Sequence, residues 1–445
     1  MMGRTYRKRT KTKNKQKKSC LSNDLIQLLQ WLKIKIADKL NPAMFTETGR
    51  GLMTKRPISP GDIIISIPKQ FLITMETVLQ SDVGEWLKRS AIKLNLQQAM
   101  SIFLIKENKK HHNSVWSPYI QVLPKTYDTP AFWTFTDLNL LPRHILSKII
   151  IAIDDLGTSY DEIVNFLSSC CDFIITFEEF RWAWYCINSR SVYYDNDGTP
   201  YISDKCSNIA LAPFLDLLNH STSAVIEAGF NKISNCYEIK SHNTYKKYDQ
   251  VFISYGPHSN AHLLMEYGFI LPNNPHDVYE IDFDTILNVA ESLNIHNIEK
   301  KSALVIENDL NKKLVCTMEG ISWNLQAVLK LLAMDFTELK SWKMIFNGDS
   351  ISLNNDQAAK HIAQVILQDK LLSVTAGFDK FPSTDYIKLT LHQRMAYDLL
   401  KIEHNILRQS IKLLLFQDVD QFVSCLLTYS NYNTKSNFFN NKLFS

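Results

Sequence analysis

The sequence predicts an α+β protein in which a β-rich part is interrupted by helices and followed by a helical C-terminal third. Three observations carry this expectation. Short β-branched runs bracketed by Pro and Gly lie between residues 47 and 85 and return between 200 and 283. Stretches with apolar residues three and four apart fill much of 85–180, and that spacing resumes after about residue 295. At 445 residues, 45% hydrophobic and 21% charged, the chain can bury a large core and is long enough for two or three lobes.

Residues 1–22 begin the chain as a basic arm. Nine Lys or Arg fall between Arg4 and Lys18 with no acid among them, and removing those nine from the net charge of +4 leaves about −5 for the rest. The arm has too few apolar residues to offset the entropy of ordering and is expected to be disordered. It reads as a solubilising tail, a nuclear-import signal or a nucleic-acid patch. Residues 24–40 (DLIQLLQWLKIKIADKL) have the spacing of a first amphipathic helix.

Strand, turn and strand are expected next, where Pro57 and the run Ser59-Pro60-Gly61-Asp62 punctuate ETGRGLMTKRPISPGDIIISIPKQFLIT. LQQAMSIFLIKEN and PRHILSKIIIAIDDL predict helices, joined by the aromatic and proline-rich SVWSPYIQVLPKTYDTPAFW. VIEAGF, CYEIKS, QVFISYG and DVYEIDF predict strands. Beyond about residue 295 helix is expected to the end; Met395, Leu399, Ile402, Ile406, Leu407, Ile411 and Leu414 form one apolar stripe suited to a core-facing helix.

Eight scattered cysteines, without a C-x-x-C pair or a secretory leader, favour reduced thiols in an intracellular protein over a disulfide framework or zinc cluster. No run approaches 18 uninterrupted apolar residues, so no membrane partner is expected.

Three polar features remain. Gly49-Arg50-Gly51 suits a tight turn and lacks the other glycines or the lysine of the nucleotide-binding loops. LAPFLDLLNHSTS (211–223) sets Asp216, Asn219 and His220 on one face if the run is helical, which marks either a helix end or a site. Tyr255 and Tyr267 are, taken singly, ordinary half-polar core aromatics.

Together these features gain meaning. E-T-G-R-G-L at 47–52, D-L-L-N-H-S at 216–221 and F-I-S-Y-G-P-H-S-N…E-Y-G-F at 252–269 resemble the SET-domain methyltransferases. The insertion carrying W-S-P-Y-I-Q-V-L-P and the helical C-terminal third are similar to the Rubisco large-subunit methyltransferase subgroup. The resemblance implies a β-rich SET fold with knot-like C-terminal threading, an exception to ordinary topology. It implies a SET domain over 24–270, with its core at about 47–85 and 200–270 and its helical insertion at about 86–199. A strand and linker at 271–294 and a helical substrate-binding domain at 295–430 complete the organisation.

The resemblance also implies S-adenosylmethionine as cofactor. Thr48, Gly49 and Arg50 match main-chain contacts to its methionine part, Arg190 an arginine that meets its carboxylate, and Asn219 and His220 the residues that hold its adenine. Asp216 matches a position bordering both cofactor and substrate channel. Tyr255 and Tyr267 match residues that touch the cofactor and line a lysine channel, with Tyr279 a third channel aromatic. Tyr267 is then the catalytic tyrosine and Tyr255 its partner.

No metal is implied. The expected partner is a protein bearing a target lysine, histone or non-histone, with the arm open to nucleic acid or an import receptor, and the expected location is nucleus and cytoplasm. The sequence departs from the family's common pattern at Thr48, Tyr248, His262 and Glu266. A histidine-methylating branch lacks the second tyrosine, so Tyr267 favours lysine. A catalytically silent reader of peptides or chromatin is the alternative from another functional class.

Overall fold

Strand-forming runs of two to seven residues are too short to make one broad sheet, and the described residues build four small ones instead. The computed structural model describes residues 22–32, 39–203, 208–348, 350–383 and 385–440, with side chains as far as residue 415. The basic arm expected at 1–22 lies, but for its last residue, outside the described residues. The described chain divides into two compact units. The first comprises residues up to Tyr127 together with Asp154–Pro257, and the second Asp128–Ile153 together with His258 onward.

In the first unit, strands β1 (Leu40–Phe45) and β2 (Gly49–Thr54) form a hairpin closed by the residues before Gly49. Four strands follow: β3 (Asp62–Pro68), β4 (Ser191–Tyr193), β5 (Ile209–Leu211) and β6 (Asn219–His220). The last strands of this unit are β7 (Ile226–Asn231), β8 (Cys236–Ser241) and β9 (Gln250–Ile253). One sheet runs β1-β2-β9-β6 and another β3-β8-β7, while β4 pairs with β5. Alternation along β8 buries Tyr237, Ile239 and Ser241 on one face.

The two-residue strand β6 pairs in parallel with β9, Asn219 opposite Phe252 and His220 opposite Ile253. The expected knot-like threading is not shown by that pairing. Helices Leu96–Lys109 and Phe177–Arg190 begin at capping boxes, Asn95 with Gln98 and Thr176 with Glu179. The second of these ends at Arg190, where Ser191 turns extended into β4.

Three expectations are corrected. The helix expected over 24–40 is Asn23–Trp31, capped by Ser22, and Leu40 already belongs to β1. The 211–223 run contains no α-helix: Pro213 precedes Phe214 at φ 72°, only Leu215–Leu217 coils as a single 3-10 turn, and Asn219-His220 is strand. The C-terminal third is not purely helical. Strands β10 (Tyr279–Glu280), β11 (Val315–Thr317) and β12 (Gly320–Ile321) form a small antiparallel sheet, the last two joined by a tight turn with Gly320 at φ 122°.

The second unit also takes in residues that the sequence had grouped with the SET domain. Trp133, Leu140, Leu141, Ile145 and Ile149 pack with Leu264 and with Met395, Ala396 and Leu399 of helix Leu391–Asn440, so apolar burial joins these segments. Residues 271–294, expected as strand and linker, hold β10 and then helix Phe283–Ser292. The predicted stripe is borne out at Met395, Leu399, Ile406, Leu407 and Leu414, all buried, with Ile402 and Ile411 half-buried.

Gly268 ends helix Asn260–Tyr267 in the left-handed region, and a Cβ there would lie 2.7 Å from backbone atoms of Asp128 and Thr129. Backbone cannot yield as a flexible side chain can. Gly268→Ala is therefore expected to cost roughly 2–4 kcal/mol in urea unfolding; a loss under about 1 kcal/mol would contradict this packing.

Candidate active site

The turn into β2 has two glycines with different tasks. Gly49 sits at φ 69°, which a glycine adopts without a Cβ penalty. At Gly51 the need is space: a Cβ would lie 2.8 Å from Asn219 Nδ2 and 2.7 Å from Gln250 Nε2. Through that gap Asn219 Nδ2 donates to the Arg50 carbonyl at 3.1 Å and, more weakly, to the Thr48 carbonyl at 3.4 Å. The Thr48 hydroxyl is hydrogen-bonded to the Gln250 side-chain amide. Thr48, Gly49, Arg50 and Asn219 are thus brought together.

Arg190 and Asp216 meet at the heart of the first unit. Arg190 Nη1 donates to the Asp216 carbonyl at 2.9 Å and to its Oδ2 at 3.2 Å, with the two side chains 17% and 2% exposed. The Tyr119 hydroxyl donates to the same Oδ2 at 3.1 Å. Burial alone would pull the Arg190 pKa down; the charge of Asp216, aided by Tyr127 and Tyr119, outweighs it and the net shift is upward.

Burial, and then Asp216, pushes the Tyr119 phenol well above its ordinary value. Arg50 is shifted down by burial first and by the charge of Arg190 second, and its Nη2 donates to the Val122 carbonyl at 2.7 Å. Two guanidiniums therefore stand near one carboxylate. Among the described residues, Arg190 Nε and Asp216 Oδ1 are buried without a hydrogen-bond partner, one donor and one acceptor.

Asp216 is held there by strain. The buried, non-glycine Phe214 at φ 72°, ψ −42° reverses the chain just before it, a costly conformation that surrounding packing must maintain. His220 Nδ1 accepts the Tyr255 backbone N–H at 3.0 Å, which assigns a neutral imidazole with its proton on Nε2. The Tyr255 hydroxyl donates to the Leu218 carbonyl at 2.8 Å, so its ring is fixed at both ends. Tyr248 adopts φ 76°, a left-handed conformation that carries backbone strain for a residue with a Cβ.

Tyr267 and Tyr279 belong to the second unit. Tyr267 is the last residue of helix Asn260–Tyr267, and burial, then Glu266, raises its pKa, so its hydroxyl stays protonated at neutral pH. The helix is pinned by buried Asn260, whose amide donates to Asp277 and to the Leu271 carbonyl while its carbonyl accepts from Leu271 N. His262 stacks on His258 at 4.2 Å, and its pKa falls through burial and then through His258. Tyr279 is buried on β10, its ring 5.0 Å from His144, whose Nε2 lies 3.1 Å from Glu403 Oε1.

Sequence reasoning missed Tyr119, Tyr127, Val122, Cys186 and Gln250. Tyr119 lies inside the W-S-P-Y segment already singled out, but its partner is 97 residues away and no local pattern reveals it. Among the described residues no cluster of His, Cys, Asp or Glu is arranged to hold a metal, and no helix is long and apolar enough to cross a membrane.

These features together define a SET-type methyltransferase fold. The SET domain profile matches residues 49–256 and the Rubisco LSMT substrate-binding profile residues 292–407, and the chain belongs to this family of SET-domain methyltransferases. It is 31% identical over 427 residues to SET domain-containing protein 4 of Mus musculus, covering 93% of this chain and 97% of that one. To its Homo sapiens namesake it is 33% identical over 353 residues, with 77% and 80% covered.

The actin-histidine N-methyltransferase of Xenopus tropicalis is more distant, 25% identical with 87% of this chain and 69% of that one covered. In fold the chain is similar to Rubisco LSMT bound to AdoMet, with a TM-score of 0.62, 21% identity and coverage of 90% and 93%. It is likewise similar to the SET domain of LSMT bound to lysine and AdoHcy, with a TM-score of 0.61, 20% identity and the same coverage.

Gly51→Ala tests the turn. Forcing the Asn219 and Gln250 amides aside is expected to cost about 1–2 kcal/mol in urea unfolding, the loss of one or two hydrogen bonds in a partly buried setting. A variant as stable as the parent would refute the close approach.

Proposed function

We propose that the protein is an S-adenosylmethionine-dependent protein-lysine N-methyltransferase. The observation that carries the reading is the buried Arg190–Asp216 pair with its partnerless Nε and Oδ1, set beside the Gly49–Gly51 turn and the Asn219-His220 strand. A guanidinium with an open donor suits the cofactor's carboxylate, and an open carboxylate oxygen suits its ammonium. Backbone groups at Thr48, Gly49 and Arg50 and the Asn219-His220 strand would hold the remainder. When bound, S-adenosylmethionine supplies a methyl group on a sulfonium, activated for in-line displacement.

The chain's own contribution is alignment and proton control. A target lysine has a free pKa of about 10.4 and must become neutral to react. Desolvation among tyrosines lowers that value. Tyr255, tied to Leu218 and His220, is a fixed wall. Tyr267, kept protonated by burial, is proposed to orient the amine through its hydroxyl rather than to act as base. Tyr279, fixed on β10, is proposed as a third channel aromatic.

Retention of Tyr267 favours lysine over histidine as the methylated side chain. Residues 292–407 match a substrate-binding domain, which supports a protein substrate. Histones and non-histone proteins both remain within the proposal. The basic residues Arg4 to Lys18 are proposed to direct part of the protein to the nucleus through an import receptor, or to bind nucleic acid.

Incubating the full chain with tritiated S-adenosylmethionine and cell extract, followed by mass spectrometry of labelled peptides, is expected to place label on lysine. Label on histidine would overturn the lysine reading, and a folded protein that transfers no label would favour the silent reader. Tyr267→Phe is expected to reduce the rate at least about tenfold, as removal of an orienting hydroxyl does; full activity would remove Tyr267 from its role. Deleting residues 4–18 is expected to shift fluorescently tagged protein out of the nucleus. If location is unchanged but nucleic-acid affinity and its steep salt dependence are lost, the arm is a nucleic-acid patch instead.

A further inference from the structure

The Arg190–Asp216 pair is held by one short segment, residues 116–127, that lies within the SET-domain match. Residues 116–127 touch it, or its neighbours, at three points. Tyr119, in the four-residue helix Ser117–Ile120, donates its hydroxyl to Asp216 Oδ2 at 3.1 Å. Three residues on, the Val122 carbonyl accepts Arg50 Nη2 at 2.7 Å. At the far end, the Tyr127 hydroxyl donates to Cys186 Sγ at 2.9 Å, one helical turn before Arg190.

The segment is itself well anchored. Trp116 packs edge-on against Trp31 at 5.5 Å and Phe103 at 6.2 Å, and Trp182 Nε1 donates to the Pro124 carbonyl at 2.8 Å. Tyr119 is 1% exposed. A phenol so buried needs an acceptor, and the one it has is the carboxylate that neutralises Arg190.

We infer that segment 116–127 is the back wall of the cofactor site and that Tyr119 is a positioning residue, acting through Asp216 on the amino-acid end of the cofactor. The geometry gives the reason. Asp216 Oδ2 already receives Arg190 Nη1, and the Tyr119 hydroxyl is a second donor to the same oxygen. The carboxylate is thereby kept from turning to embrace the guanidinium with both oxygens, an arrangement that planar arginine otherwise favours. Arg190 Nε and Asp216 Oδ1 stay separate, one donor and one acceptor, matched to a ligand that carries a carboxylate and an ammonium on the same carbon. Without the hydroxyl, the pair closes on itself and that match is lost.

This inference rests on the cofactor reading above, and one experiment separates the two. S-adenosylhomocysteine is titrated calorimetrically into the full chain and into Tyr119→Phe, and initial rates are taken over a range of S-adenosylmethionine at saturating substrate protein. Tyr119→Phe is expected to weaken S-adenosylhomocysteine binding and raise the KM for S-adenosylmethionine about tenfold, the scale of one hydrogen bond to a charged group. Its kcat, its KM for the substrate protein and its unfolding temperature are expected to stay close to the parent's.

An unchanged cofactor KM and affinity overturn the inference. A fall in kcat and in unfolding temperature that accompanies the affinity loss also overturns it, since that is the signature of a merely structural tyrosine. If the parent itself fails to bind S-adenosylhomocysteine, the cofactor reading falls, and the inference with it.

Discussion

A guanidinium and a carboxylate removed from water together each lose several kcal/mol of hydration, which their attraction recovers only when the geometry is good and the remaining polar atoms are satisfied. Arg190 and Asp216 meet that condition in part. Asp216 has Arg190 and Tyr119 on one oxygen and nothing on the other, while Arg190 keeps a buried Nε in reserve. A pair built only for stability would close on itself. The inference that Tyr119 holds the pair open for the proposed cofactor makes the rest of the first unit the scaffold around that pair.

That scaffold combines short elements with local strain. Phe214 takes a backbone conformation few residues adopt so that Asp216 follows at once. Gly51 leaves room for Asn219 to reach across from β6 to the Gly49 turn, and the parallel β6–β9 pairing fixes His220 against Tyr255. The sheets are small because their strands are two to seven residues long. Most of the apolar burial in the second unit comes instead from helices, with Leu325, Val328, Leu332, Ile366, Leu400 and Leu407 packed in one cluster.

What the sequence revealed followed the range of the interactions. Helices with their own caps and apolar period, such as Leu96–Lys109 and the stripe from Met395 to Leu414, were legible because the information lies within a few residues. The three site motifs were legible through their order and the family they resemble. The stretch from Leu211 to His220 looked helical because its apolar spacing is helical, but Pro213 and the reversal at Phe214 prevail over that period. Hairpin β11–β12 was hidden because its strands are two and three residues long.

Tyr119 and Tyr127 were hidden for a different reason. Their partners lie 97 and 59 residues away, and nothing near either tyrosine marks it as more than a core aromatic. The central claim is that the open Arg190–Asp216 pair receives the amino-acid end of the cofactor. A crystal structure of the full chain with S-adenosylhomocysteine tests it most directly. The account predicts the ligand's carboxylate on the Arg190 guanidinium and its adenine against Asn219 and His220. A ligand bound elsewhere, with Arg190 meeting only Asp216, would contradict it.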